Sequence, residues 1–61
     1  MDKEFEKWLL NLEPKNPRPG EFRESHTYPK DNSEHIVVFT CEQVLGGNLA
    51  CAVIKLEKSK E

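Results

Sequence analysis

Two histidines and two cysteines, His26, His35, Cys41 and Cys51, are the residues of this chain whose types could do metal or nucleophile chemistry. A four-coordinate zinc site takes such a set, because imidazole nitrogen and thiolate sulfur are its usual donors. Compact zinc sites draw paired ligands from positions about two to five residues apart, so that a short knuckle preorganises them. None of these four lies that close to the next. A cysteine–histidine nucleophile would need a thiolate held by a base, in a pocket with oxyanion donors. Cys41 and Cys51 sit instead in the apolar runs VVFTCEQV and NLACAV, where a thiol is expected to pack rather than react.

The carboxylates offer no better chemistry. They lie in loops or on a solvated helix face, with no apolar pocket to separate a proton donor from an acceptor. Gly46-Gly47 is too short to cradle a phosphate and suits a turn. No catalytic residue, metal site or cofactor is assigned from the sequence.

Charge bears on partners. Nine Lys and Arg stand against eleven Asp and Glu, a net charge of −2 with the histidines neutral. Nucleic-acid binders draw most of their affinity from phosphate contacts by basic side chains. Here Lys15, Arg18, Arg23 and Lys30, with Tyr28 to stack on a base, are the candidate contacts. They alternate with Glu13, Glu21, Glu24 and Asp31, so no phosphate track emerges. The opening MDKEFEKWLL is acidic and amphipathic, unlike a signal peptide, and no apolar run approaches the roughly 20 residues of a membrane span. Two cysteines without such a signal imply free thiols in a reducing compartment, so a cytoplasmic setting is expected.

The elements that must carry any site can be read from periodicity. At 61 residues the chain forms one domain, and its apolar residues gather in 5–12 and 36–56, so the core is built from those two stretches. Phe5, Trp8, Leu9 and Leu12 fall at i, i+3, i+4 and i+7, which predicts a helix over 2–12. Asp2 caps it, Pro14 stops it, and Leu10 points away from its apolar face. Residues 13–20, EPKNPRPG, read as a stiff linker. EFRESHTY, 21–28, alternates weakly and predicts an edge strand, followed by turn chemistry in PKDNSE. Strands over 35–44 and 48–57 flank the glycine pair, and 58–61 is a charged tail. The fold class is α+β: one N-terminal helix packed on a three-stranded antiparallel meander.

Register decides which side chains share a face. A glycine turn with an even number of loop residues sets Phe39 against Ile54, Cys41 against Ala52 and Val37 against Leu56. That leaves Val38, Thr40, Glu42, Val44, Leu49, Cys51, Val53 and Lys55 on the other face. An odd loop would bring the two cysteines opposite each other. One short helix covers one face, so Val38, Thr40, Val44, Leu49, Cys51 and Val53 form the expected interaction surface, used by a protein partner or a second copy. The expected function is a small binding protein, regulatory or inhibitory, of the kind common among phage and bacterial modulators. The alternative is a nucleic-acid-binding module using the 15–30 segment.

Overall fold

A computed structural model describes residues 2–57. The expected tail at 58–61 lies outside them. Asp2 opens the helix as read from the sequence: its carboxylate accepts the Glu4 N–H at 3.1 Å, and Glu4 and Glu6 occupy the positive end of the helix dipole. Helix α1 spans Lys3–Leu10, two residues shorter at its C-terminus than expected. The Asn11 side chain turns back to donate to the Lys7 carbonyl at 2.8 Å, closing the last turn. Pro14 has no N–H to give the Leu10 carbonyl four residues back, and its ring would clash there, so the regular helix ends at Leu10.

Three antiparallel strands follow in the order β1-β2-β3: β1 Gly20–Tyr28, β2 Ser33–Gln43 and β3 Leu49–Glu57. This is the helix-plus-meander architecture expected from the sequence. The β1–β2 connection uses the predicted turn residues. Asn32 takes a positive φ of 60° and donates to the Tyr28 carbonyl, while Asp31 accepts both the backbone N–H and the hydroxyl of Ser33.

The β2–β3 hairpin departs from the expected register, and two local features explain the departure. The loop is odd: Val44 N–H donates to the Asn48 carbonyl at 2.9 Å, leaving Leu45, Gly46 and Gly47 between them. Gly46 and Gly47 hold φ of 92° and 84°, conformations that a side chain would strain. The pairing therefore sets Phe39 against Val53 and Cys41 against Cys51, not Ile54 and Ala52. A bulge then absorbs one residue, Ile54, between the Phe39 and Val38 pairs. Beyond it Val37 opposes Leu56, as expected. Because side chains alternate faces, this single-residue shift moves Leu49, Cys51 and Val53 to the helix side of the sheet.

The core lies on that side. Phe22, Val37, Phe39 and Cys41 are buried together, with Leu9, Leu12, Leu49 and Val53 packed against them. The rings of Phe22 and Phe39, directly paired across β1 and β2, stack 5.7 Å apart. Toward the sheet's other end, Phe5 and Trp8 dock on Tyr28 and His35 with ring centroids 5.0–5.9 Å apart. Aromatic edges and faces packed at such distances add to simple area burial, which fixes this short helix on the sheet.

The opposite face is not simply open. Val38 is 0 % exposed although it faces away from the cluster that holds Val37 and Phe39. It stands between Arg23 of β1 and Lys55 of β3. The Arg23 guanidinium reaches over β2 to form a bidentate pair with Glu57, at 2.8 and 2.9 Å. Hydrogen bonding to Glu57 raises the Arg23 pKa, and the same contact lowers that of Glu57. The aliphatic stems of these long side chains cover the valine while their charged heads stay in water.

Candidate functional site

The four residues with metal or nucleophile chemistry do not converge. His26 is buried, edge-on to Phe39, with Nε2 2.9 Å from Glu24 Oε1. His35 lies against Phe5 and Trp8. Cys41 and Cys51 are bonded to each other as a disulfide, which corrects the expectation of free thiols and removes the ground on which they pointed to a reducing compartment. Among the described residues, no three His, Cys, Asp or Glu side chains come together as a metal cage would require.

One constellation was not legible beforehand. Asp31, Ser33 and His35 form a hydrogen-bonded chain: the Ser33 hydroxyl donates to Asp31 Oδ1 at 2.6 Å, and His35 Nε2 lies 2.8 Å from Ser33 Oγ. The composition is that of a hydrolytic triad, but the order is wrong. In a triad the carboxylate holds the imidazole and the imidazole takes the hydroxyl proton. Here the carboxylate accepts the hydroxyl's hydrogen bond itself, so the serine is tied down rather than activated. Hydrogen bonds from the Ser33 side chain and backbone hold Asp31 below the ordinary carboxylate range. The chain closes a turn.

Glu24 does a similar structural task for the linker. Its carboxylate accepts the backbone N–H of Lys15 at 2.8 Å and of Asn16 at 2.9 Å, besides its contact with His26. Lys15 Nζ donates in turn to the Ser25 carbonyl at 2.7 Å. Burial pushes the Glu24 pKa up, but the hydrogen bonds from Lys15, His26 and Asn16 outweigh it, and the net shift is downward. A carboxyl whose folded pKa is depressed stabilises the fold above its unfolded pKa and loses that contribution as pH falls through the folded value. Glu24→Gln is expected to cost about 1–2 kcal/mol at neutral pH. It should also flatten the acid limb of the stability–pH curve and speed amide exchange at Lys15 and Asn16. Unchanged exchange at both amides would show that the clamp does not hold the linker.

The residues of the two expected surfaces are dispersed. Of the interaction set, Thr40 is exposed on the face away from the helix, and Val44 is exposed beside the hairpin loop. Leu49 and Val53 pack against the core, Cys51 is in the disulfide, and Val38 is fully buried. The set is therefore not one face, and a charge placed at Val38 would test folding rather than contact. The candidate nucleic-acid contacts are each engaged internally. Lys15 caps a β1 carbonyl, Arg18 lies 4.1 Å over the Phe22 ring, Arg23 pairs with Glu57, Lys30 pairs with Glu4, and Tyr28 is buried against Phe5 and Trp8.

What the tertiary structure exposes instead is a difference between the two sheet edges. Along β1 Lys15 caps the Ser25 carbonyl, and the strand itself, GEFRESHTY, is rich in charge. Both are ordinary protections against unwanted pairing. Along β3 no described segment pairs with the outer edge. Its sequence, LACAVIKLE, has no charge before Lys55, and Ile54 and Leu56 are exposed beside it. Leu45, at the tip of the adjoining loop, is 98 % exposed. The Val44–Asn48 hydrogen bond sets the alternation of the ladder: Ala50 and Ala52 direct their backbone groups toward β2, while Leu49, Cys51 and Val53 direct theirs outward. The edge therefore offers a row of backbone donors and acceptors flanked by apolar side chains.

No family model, no curated protein and no solved structure matches the chain. Among the described residues, no helix is long and apolar enough to cross a membrane.

Proposed function

We propose that this protein is a small non-enzymatic binding module that takes up an extended strand of a protein partner along β3, and regulates or inhibits that partner by occupying it. The single observation that supports this reading is the asymmetry of the sheet: β1 has an outward carbonyl capped by Lys15 and charge along its length, whereas β3 has no described segment on its outer edge and no charge before Lys55. Strand addition uses main-chain hydrogen bonds for affinity and the alternate side chains for selectivity. The outward groups of Leu49, Cys51 and Val53 supply the first, and Ile54, Leu56 and Leu45 supply apolar contact for the second. The proposed setting is the cytoplasm, where the prevailing reductants favour the open form of the Cys41–Cys51 pair.

The test uses lysine as an edge charge. Ala52→Lys and Ile54→Lys change exposed positions on β3 and are expected to leave the fold within about 0.5 kcal/mol of wild type. Each should reduce capture of a nuclease-resistant protein partner from native lysate at least tenfold. With the captured partner in hand, amide exchange at Leu49, Cys51 and Val53 should slow on binding. Capture that survives both substitutions, or depends on nucleic acid, would sink the proposal.

A further inference from the structure

The β2–β3 hairpin holds two registers at once. Ile36, Val37 and Val38 pair with Glu57, Leu56 and Lys55, whereas Phe39 to Gln43 pair with Val53 to Leu49, one residue out of step. We propose that the Cys41–Cys51 disulfide selects this bulged arrangement, and that its reduction by a dithiol releases a continuous one. The inference rests on the hairpin alone and stands whether or not β3 takes a partner.

The alternative is defined by residues already in place. Continuing the outer register inward sets Phe39 against Ile54, Cys41 against Ala52 and Gln43 against Ala50. Because the even residues of β2 direct their backbone groups toward β3, the last hydrogen-bonded pair is Val44 with Leu49, and Leu45–Asn48 become a four-residue loop that keeps both glycines. The bulge at Ile54 and the odd loop disappear together, so no residue is gained or lost.

The two arrangements trade one set of contacts for another. On the helix side Leu49 and Val53, both half-buried, would leave and Ile54 would enter beside Phe39, with Ala50 and Ala52 in the remaining places. Ile54 is 48 % exposed in the bulged form, so the continuous form gains its burial and an unbroken ladder, and gives up the larger packing of Leu49 and Val53. One covalent bond belongs to the bulged register alone and tips the balance toward it. In the continuous form Cys41 and Cys51 point to opposite faces and cannot bond.

One end of the bond is reachable. Cys51 is exposed and lines an open groove of about 710 Å³ between the linker, at Leu12, Pro14 and Pro17, and the hairpin loop. Cys41 is buried. A dithiol's thiolate attacks Cys51 Sγ, the S–S bond breaks, and Cys41 leaves as a thiolate that takes a proton. The reagent's second thiol then displaces Cys51, so two electrons pass to the protein, which ends with two thiols while the reagent ends as a cyclic disulfide. With the tether gone, residues 49–53 shift by one and turn over. Leu49, Cys51 and Val53 then lie on the face away from the helix, and what the sheet presents to solvent changes.

Isotope-labelled full-length chain, studied by NMR before and after an excess of dithiothreitol, tests this directly. Cross-strand contacts of Cys41 with Cys51 and of Phe39 with Val53 should be replaced by contacts of Cys41 with Ala52 and of Phe39 with Ile54. A reduced protein that keeps the first pair of contacts, or that loses the sheet, overturns the proposal. A second variant approaches from the other side. Cys51→Ala combined with Ala52→Cys places the second thiol where the continuous register needs it. Mild oxidation should close an intramolecular bond from Cys41 in the folded chain, and thiols that stay free under those conditions count against the switch.

Discussion

Phe39→Ala is expected to abolish the cooperative fold at room temperature. Phe39 is 0 % exposed at the centre of the middle strand, and its ring meets Phe22 at 5.7 Å and His26 at 5.6 Å. Truncating a buried phenylalanine costs about 3–5 kcal/mol, as lost transfer energy plus the cavity left behind. A 61-residue domain has only about 3–9 kcal/mol in total. The cavity here could not be refilled cheaply, because the residue opposite Phe39 on each neighbouring strand is itself an apolar member of the same cluster, Phe22 and Val53. The bulge also begins beside Phe39, so register and packing fail at one place. A thermal melt followed by far-UV circular dichroism checks this. A sigmoidal transition at the wild-type midpoint would show that the cluster does not carry the stability assigned to it.

Replacing both cysteines, Cys41→Ala with Cys51→Ala, is expected to lower stability under oxidising conditions by up to about 3 kcal/mol. The chain-entropy estimate counts the loop that the bond closes, and the sequence separation here is 10. In so small a domain that is a large share of the whole. A urea titration with a slope of about 1 kcal/mol/M would read it as a fall in midpoint of up to about 3 M. The full loss requires the hairpin to stay in its bulged register. A smaller loss accompanied by re-pairing of Phe39 with Ile54 is the result expected if the continuous register forms once the bond is gone. A midpoint unchanged from the oxidised wild type, with the bulged pairing intact, would show that the bond adds nothing to the fold.

The difference between what could be read early and what could not follows the range of the interactions. The helix was legible because Phe5, Trp8, Leu9 and Leu12 repeat at the period of one helical face and Asp2 sits where a cap must. Its true end at Leu10 depended on how far the influence of Pro14 reaches back. The meander was legible because strand-forming runs flank a glycine pair and short loops favour antiparallel neighbours. The inner register was not. A three-residue loop and a one-residue bulge leave no mark in composition, and the two compensate, so Val37 opposes Leu56 under either reading. Consequently the disulfide, and the side of the sheet on which Leu49 and Val53 lie, followed from a shift of a single residue.

The candidate site shows the same division. Strand addition at a sheet edge was conceivable from the sequence, but which edge was open depended on a hydrogen bond from Lys15 to Ser25, ten residues along the chain. The burial of Val38 needed Arg23 and Glu57, thirty-four residues apart, to meet over β2. By itself the sequence determined a capped amphipathic helix, a glycine-turned hairpin and an α+β meander, because each follows from local spacing and backbone preference. Only the tertiary structure decided the register, the disulfide, the covered valine and the open β3 edge, because each depends on where one strand stops relative to another, to within one residue.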